Sequence, residues 1–474
     1  MRLIRSQTKV IATIGPVSSS KEVLEKMFHE GVDVCRLNFS HGTHDDHLQV
    51  INNILELNQE LNANVAILAD LQGPKIRIGE VENNRVELID CAEVLFVTEK
   101  CMGTAEKLYL SYKEFPRDVN VGDTILVDDG KMKLEAIETN GKDTVKARVI
   151  HGGFLSSKKG VNLPNTKISL PSLTEKDIED VNFALDNNVD WIALSFVRSA
   201  EDLVQLKEIV RNKKKFARII AKIEKPEAID DIEAIIDASN GIMVARGDLG
   251  VEVPFDQVPL LQKDIVKRCV EKAKPVIIAT QMLESMITNF RPTRAEANDV
   301  ANAVLDGADA VMLSAETSAG KYPIESIAAM QKIIDWTEKG VAFNREALPV
   351  PGSRTFLPDS ICLNACRMAS QTNAKAIVTF TYSGYTAFKI SSHRPQSDIF
   401  VFTRNKTLLR KMSLVWGVRA FYFDEHDNMD DAIQHSIDFL KEYKHIAEGD
   451  VVVHVGSTPF EEKGQTNMIK LSYV

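Results

Sequence analysis

Lys222, Glu224 and Asp248 are the residues of this chain best placed for chemistry, because each stands where an uncharged β-type run ends. The first run reads Ile219-Ile220-Ala221-Lys222-Ile223-Glu224, and the second runs from Gly241-Ile242-Met243-Val244 to Ala245-Arg246-Gly247-Asp248. Such stretches make buried parallel strands, and charges at their C-terminal ends lie on the face where parallel barrels carry their sites. A purely structural ion-pair cluster is the alternative, and two consecutive strands ending alike favour chemistry over it. Two carboxylates with neither histidine nor thiolate suit a hard, oxygen-seeking ion such as Mg2+, with Mn2+ as a substitute. The Arg246-Gly247-Asp248 turn offers backbone N–H groups to a substrate carboxylate.

The other strand ends add to this set. One run closes with Arg36-Leu37-Asn38-Phe39-Ser40-His41-Gly42, another with Asp70 followed by Lys75 and Arg77, and two later ones with Thr280 and with Ser314-Ala315-Glu316. Arg36, Arg77 and Lys222 are expected to converge on one face of an otherwise acidic protein, which is how a phosphorylated substrate is gathered. No Walker A phosphate loop is present; the nearest match, residues 315–322, lacks its first glycine and its final hydroxyl.

The elements that must position these residues follow from hydrophobic period. Strands are predicted at 9–15, 32–38 and 65–70, with helices over 20–30 and 47–61 between them. From Gly73 to about residue 170 only short β-type runs occur, with Asp129-Gly130 and Asn140-Gly141 as hairpin turns. The βα alternation then resumes with a capping box at Thr174 to Asp177 and strands at 191–196, 219–224, 242–247, 276–280 and 310–314. Three strands plus five predict an α/β fold: a (β/α)8 TIM barrel with a small β-barrel lid inserted after the third strand, on the face where the strands end. Past a Pro-rich linker at 347–352, four further strand signals predict a C-terminal open α/β domain. The divisions expected are 1–72 and 169–342 for the barrel, 73–168 for the lid and 353–474 for the last domain.

Bulk properties exclude several classes. The 474 residues carry a formal net charge of −10, with 44% hydrophobic and 26% charged residues, so no basic footprint for nucleic acid exists. No apolar run is long enough to cross a membrane and the polar start lacks a signal-peptide core, which predicts a cytoplasmic protein. The six cysteines are scattered; Cys362 and Cys366, spaced i, i+4 on a predicted helix, read as small buried side chains rather than a metal site.

Six motifs in order resemble the pyruvate kinase family over nearly the whole chain: Arg36 to Gly42; Asp70-Leu71-Gln72-Gly73-Pro74-Lys75-Ile76-Arg77; Ala221-Lys222-Ile223-Glu224; Met243 to Gly250; Ala279-Thr280-Gln281-Met282 with Leu283 to Met286; and Leu313-Ser314-Ala315-Glu316-Thr317. The resemblance implies phosphoryl transfer from phosphoenolpyruvate to ADP, giving pyruvate and ATP, in a glycolytic homotetramer. It implies that Lys222 neutralises the phosphoryl group, Arg36 holds its oxygens, and Glu224 and Asp248 bind Mg2+. The Gly247 and Asp248 amides with Thr280 would orient the carboxylate, and Thr280 and Ser314 would flank the proton path to the enolate. Arg77, His41 and Lys159 would face the nucleotide. A single-phosphate effector, or none, is expected at Thr381, Ser383, Gly384 and Thr386, where an ordinary helix N-cap is the alternative; Glu461 and Glu462 in a later loop argue against a second phosphate. In animal members K+ sits among residues matching Asn38, Ser40 and Asp70, and the position of Lys75 is glutamate. Lys75 reverses that charge, so K+ is expected not to be required. A pyruvate-enolate lyase and a catalytically silent metabolite sensor are the rival readings, separated from this one by ADP-dependent pyruvate formation.

Overall fold

The computed structural model describes residues 6–164, 166–341, 343, 345–423, 428–458 and 466–474. Eight parallel strands, Lys9–Ile14, Val34–Asn38, Ala66–Asp70, Trp191–Val197, Arg218–Ile223, Gly241–Ala245, Val276–Ala279 and Ala310–Leu313, close into a barrel. Nearly every strand residue is buried, because helices cover the outside and side chains fill the inside. The helices are started by local chemistry: Thr43 with Asp46, Thr174 with Asp177 and Thr293 with Glu296 form reciprocal capping boxes. Between the fifth and sixth strands the helical segment is two pieces, Pro226–Asp230 and Ile232–Ala238, meeting at Asp231.

The segment expected to lack helices holds two short helical turns, Glu82–Asn84 and Phe115–Asp118, with a six-stranded sheet and a two-stranded one. Bridges from Arg77 to Gly160 and from Ile78 to Leu110 join the entering chain to both sides of that sheet. The lid therefore has its own core, built on residues such as Phe96, Phe115, Ile125 and Val149. Gly73 begins it in a left-handed conformation with φ 68°. A Cβ there would lie 2.8 Å from the Phe196 ring and 2.9 Å from the Ser195 Cβ, so only glycine lets the chain leave the barrel so close to its fourth strand.

The C-terminal domain has a five-stranded sheet, one strand more than the sequence signals suggest. The addition, Met468–Tyr473, pairs antiparallel with Val451–Gly456. It is a half-exposed edge with no continuous apolar run, which is why hydrophobic pattern does not reveal it. Cys362 and Cys366 are buried on the helix Phe356–Gln371, and among the described residues no cluster of His, Cys, Asp or Glu is arranged as a metal site of three or more.

Candidate active site

Lys222 lies near the end of the strand Arg218–Ile223 and Glu224 is the first residue past it; two apart along extended backbone, their side chains share one face at the C-terminal mouth of the barrel. The Lys222 ammonium lies 3.0 Å from Glu224 Oε1 and 3.1 Å from Asp70 Oδ1, and donates to Ser195 Oγ over 2.7 Å. Arg36 approaches Asp70 from the other side, its Nε donating to Oδ2 over 2.7 Å while Nη1 donates to Thr13 Oγ1 over 2.9 Å. One buried carboxylate thus holds two cations side by side.

The electrostatics follow from that packing. Burial alone would raise the Asp70 carboxyl, but Lys222 and Arg36 beside it hold it below the usual range. Burial would likewise lower Lys222, and Asp70 and Glu224 more than offset this, so the ammonium stays charged. Glu224 goes the other way. Burial and the nearby Asp248 charge push it up against the attraction of Lys222 and a 2.7 Å bond from the Phe196 amide. Two oxygen donors that repel each other fit a divalent ion: it relieves the repulsion, and a small protein ligand set leaves positions for substrate and water.

Asp248 lies in the first turn of a short helix, Arg246–Glu252, where the sequence suggested only a turn. The Gly247 amide donates to Thr280 Oγ1 over 2.7 Å, so the predicted carboxylate-holding groups already meet one another. Thr280 has φ 68° and Gln281 φ 54°, a costly conformation for a β-branched residue. Arg246 secures this turn, donating to the Thr280 and Gln281 carbonyls over 2.8 and 3.1 Å while pairing with Asp299. Ser314 is fixed by Glu316, whose buried carboxylate accepts from the Ser314 and Leu283 amides.

The nucleotide candidates are not gathered with these. Arg77 lies on the lid, its guanidinium donating to the Lys158 carbonyl over 3.1 Å, and Lys159 pairs with Asp128 of the same lid at 2.8 Å. Arg77 therefore does not share the Asp70 carboxylate with Arg36 and Lys222. His41 is exposed on the loop after the second strand, where Asn38 Oδ1 accepts from the Ser40 amide. Lys75 lines a cleft between lid and barrel with Asn162, Lys225, Asp248 and Glu252.

The C-terminal loop 381–386 borders a cavity of about 460 Å³ that also receives Arg354, Arg404 and Ser457. Thr381 Oγ1 accepts from the Gly384 amide and Thr386 Oγ1 meets Thr466 Oγ1 at 2.9 Å. Glu461 and Glu462 lie outside the described residues. Sequence reasoning missed Ser195, Glu252, Arg354 and Arg404. Only the serine carried a signal, as a polar residue inside the apolar run Trp191–Val197.

The chain matches two family descriptions, "Pyruvate kinase, barrel domain" over residues 5–327 and "Pyruvate kinase, alpha/beta domain" over residues 359–472. It is 41% identical to a pyruvate kinase of Staphylococcus epidermidis and 42% identical to one of Staphylococcus aureus, each time over 99% of this chain and 80% of the relative. A solved pyruvate kinase structure from Cryptosporidium parvum superposes with a TM-score of 0.92 at 34% identity, covering 99% of this chain and 96% of that one.

Proposed function

The chain belongs to the pyruvate kinase family, and from that premise we propose that it moves the phosphoryl group of phosphoenolpyruvate to ADP, giving pyruvate and ATP. The observation that carries this reading is the Lys222 ammonium, fixed among Asp70, Glu224 and Ser195 beside Arg36. Charge on a phosphoryl group in flight needs such pre-placed cations more than it needs a covalent partner. Lys222 and Arg36 hold the phosphoryl oxygens, while the Gly247 and Asp248 amides and Thr280 hold the substrate carboxylate; the ligand shares or replaces the present bond between Gly247 and Thr280. Glu224 and Asp248 hold Mg2+, whose part when bound is to draw negative charge from substrate oxygens. Thr280 and Ser314 order the water that protonates the enolate, since neither hydroxyl is itself a strong acid. Arg77, His41 and Lys159 face the nucleotide as the lid, residues 73–168, closes on the barrel formed by 1–72 and 169–342.

A lactate-dehydrogenase-coupled assay tests this reading. Pyruvate should appear only when phosphoenolpyruvate, ADP and a divalent metal are all present, and pyruvate formed without ADP would count against it. Lys75 supports K+-independence, because its tethered ammonium brings positive charge to the lid side of the site without a mobile ion, while Asn38, Ser40 and Asp70 keep the family's monovalent-cation positions. The protein is read as a cytoplasmic homotetramer. The tetramer comes from the family resemblance, and sedimentation velocity measures the assembly. No helix among the described residues is long and apolar enough to cross a membrane.

The 353–474 domain is proposed to bind a single-phosphate effector at Thr381, Ser383, Gly384 and Thr386. The two arginines lining the same cavity favour an anion there. Strong activation by fructose 1,6-bisphosphate, abolished in Thr381→Ala, would overturn the single-phosphate assignment.

A further inference from the structure

Glu252 ends the helix that begins at Arg246 and lies one turn beyond Asp248. Its side chain is buried, and its Oε1 accepts from Lys225 Nζ over 2.6 Å and from Asn162 Nδ2 over 2.8 Å. Lys225 is itself buried and follows Glu224 directly in the chain. Asn162 belongs to the lid, in the strand Val161–Asn162. Glu252 Oε2 is also buried and has no hydrogen-bond partner among the described residues, so the whole polar load of this carboxylate rests on one oxygen shared by barrel and lid.

The three groups that meet here come from separate parts of the site. The helix carries Asp248, the lysine sits next to Glu224, and the asparagine is the lid's hand on the barrel. A donor to a buried carboxylate is stronger and more exacting in direction than the same bond in water. With Lys225 holding the carboxylate from below, Asn162 can reach it only when the lid strand lies against this helix. The dependence runs both ways, since lid docking in turn fixes the helical turn that sets Asp248 relative to Glu224.

We propose that Glu252 is a positioning residue that couples docking of the lid to the spacing of Glu224 and Asp248. The inference rests on the reading of those two carboxylates as divalent-metal holders, and coupling of this kind is reciprocal: metal binding docks the lid by the same free energy with which the docked lid tightens the metal.

Mn2+ titrations, followed by the electron paramagnetic resonance of the free ion, test it together with hydrogen exchange of lid residues 156–164 with and without Mn2+. In the unmodified chain Mn2+ alone should slow exchange in that segment. Asn162→Ala, a change on the lid that spares the buried pair, should remove this protection and weaken Mn2+ binding about fivefold or more. Lys225→Met should also lose the metal-dependent protection, and the double variant should be no worse than the weaker single one, because both cut the same link. Glu252→Gln, which keeps an oxygen for Asn162, should retain part of the protection that Glu252→Ala loses. If both single variants bind Mn2+ within about twofold of the unmodified chain and keep the lid response, Glu252 only staples helix to strand and the proposal falls. Failure of the unmodified chain to bind Mn2+ would instead overturn the metal assignment beneath it.

Discussion

The Lys222 ammonium and the Glu224 carboxylate, two residues apart at the end of one barrel strand, meet at 3.0 Å with both groups buried. In the proposed function this pair sets a phosphoryl-stabilising positive charge next to a metal-holding carboxylate. Lys222→Met is therefore expected to lower kcat by about 10³-fold or more, the scale on which a phosphoryl-stabilising cation acts. The barrel should still form, because Asp70 keeps Arg36, but Glu224 is left without its counter-charge and Tm should fall by several degrees. Near-normal turnover in this variant would defeat the assignment of Lys222.

Thr280 holds a positive φ and its hydroxyl accepts from Gly247. Thr280→Gly and Thr280→Ala both remove that hydroxyl, so both should raise KM for phosphoenolpyruvate and lower kcat. They differ in the backbone: alanine's Cβ is strained at this positive φ, whereas glycine escapes that strain but loses more chain entropy on folding. The glycine variant should be more stable than the alanine variant by roughly 1 kcal/mol, read as a higher melting temperature. A glycine variant less stable than the alanine variant by about 0.4–1 kcal/mol, the chain-entropy difference alone, would show that the turn stores no strain.

Lys75 lines the cleft between lid and barrel together with Asp248, and its charge carries the proposed K+-independence. The protein should show full activity with Mg2+ in tetramethylammonium buffers free of K+ and NH4+. Lys75→Glu should create a K+ requirement. A tenfold stimulation of the unmodified protein by K+, about 1.4 kcal/mol of barrel-site barrier lowering, would overturn this expectation.

His454, in a central strand of the C-terminal sheet, is fully buried and neither ring nitrogen has a hydrogen-bond partner among the described residues. Burial, with a smaller contribution from Lys470, depresses its pKa from 6.5 to about 4. The folded protein thus binds this proton less tightly than the unfolded chain. The stability it contributes is fully present above about pH 6.5 and is lost as pH falls toward about 4. The loss is on the order of 3 kcal/mol. His454→Leu should flatten the urea-unfolding stability of the C-terminal domain between those pH values; an unchanged pH slope would show that His454 is not its source.

What the sequence determined by itself was the eight βα units, the lid after the third strand and the charged strand ends, because each is a local pattern. Buried parallel strands are continuous apolar runs, and side chains two apart on a strand share a face, so Lys222 and Glu224 could be paired before any coordinates. Asp248 followed from the next strand in order. Tertiary structure alone decided which distant groups complete the site. Ser195 reaches Lys222 from 27 positions away, and Glu252 joins Lys225 and Asn162 across 27 and 90 positions. A lone serine in a strand or glutamate in a helix has the same local pattern whether it meets water or a buried lysine, since its partner is set by the closure of the barrel and the docking of the lid. Arg77 shows the converse. Its motif placed it with the other cations, but the chain turns at Gly73 and carries it onto the lid, where its guanidinium bonds the Lys158 carbonyl instead.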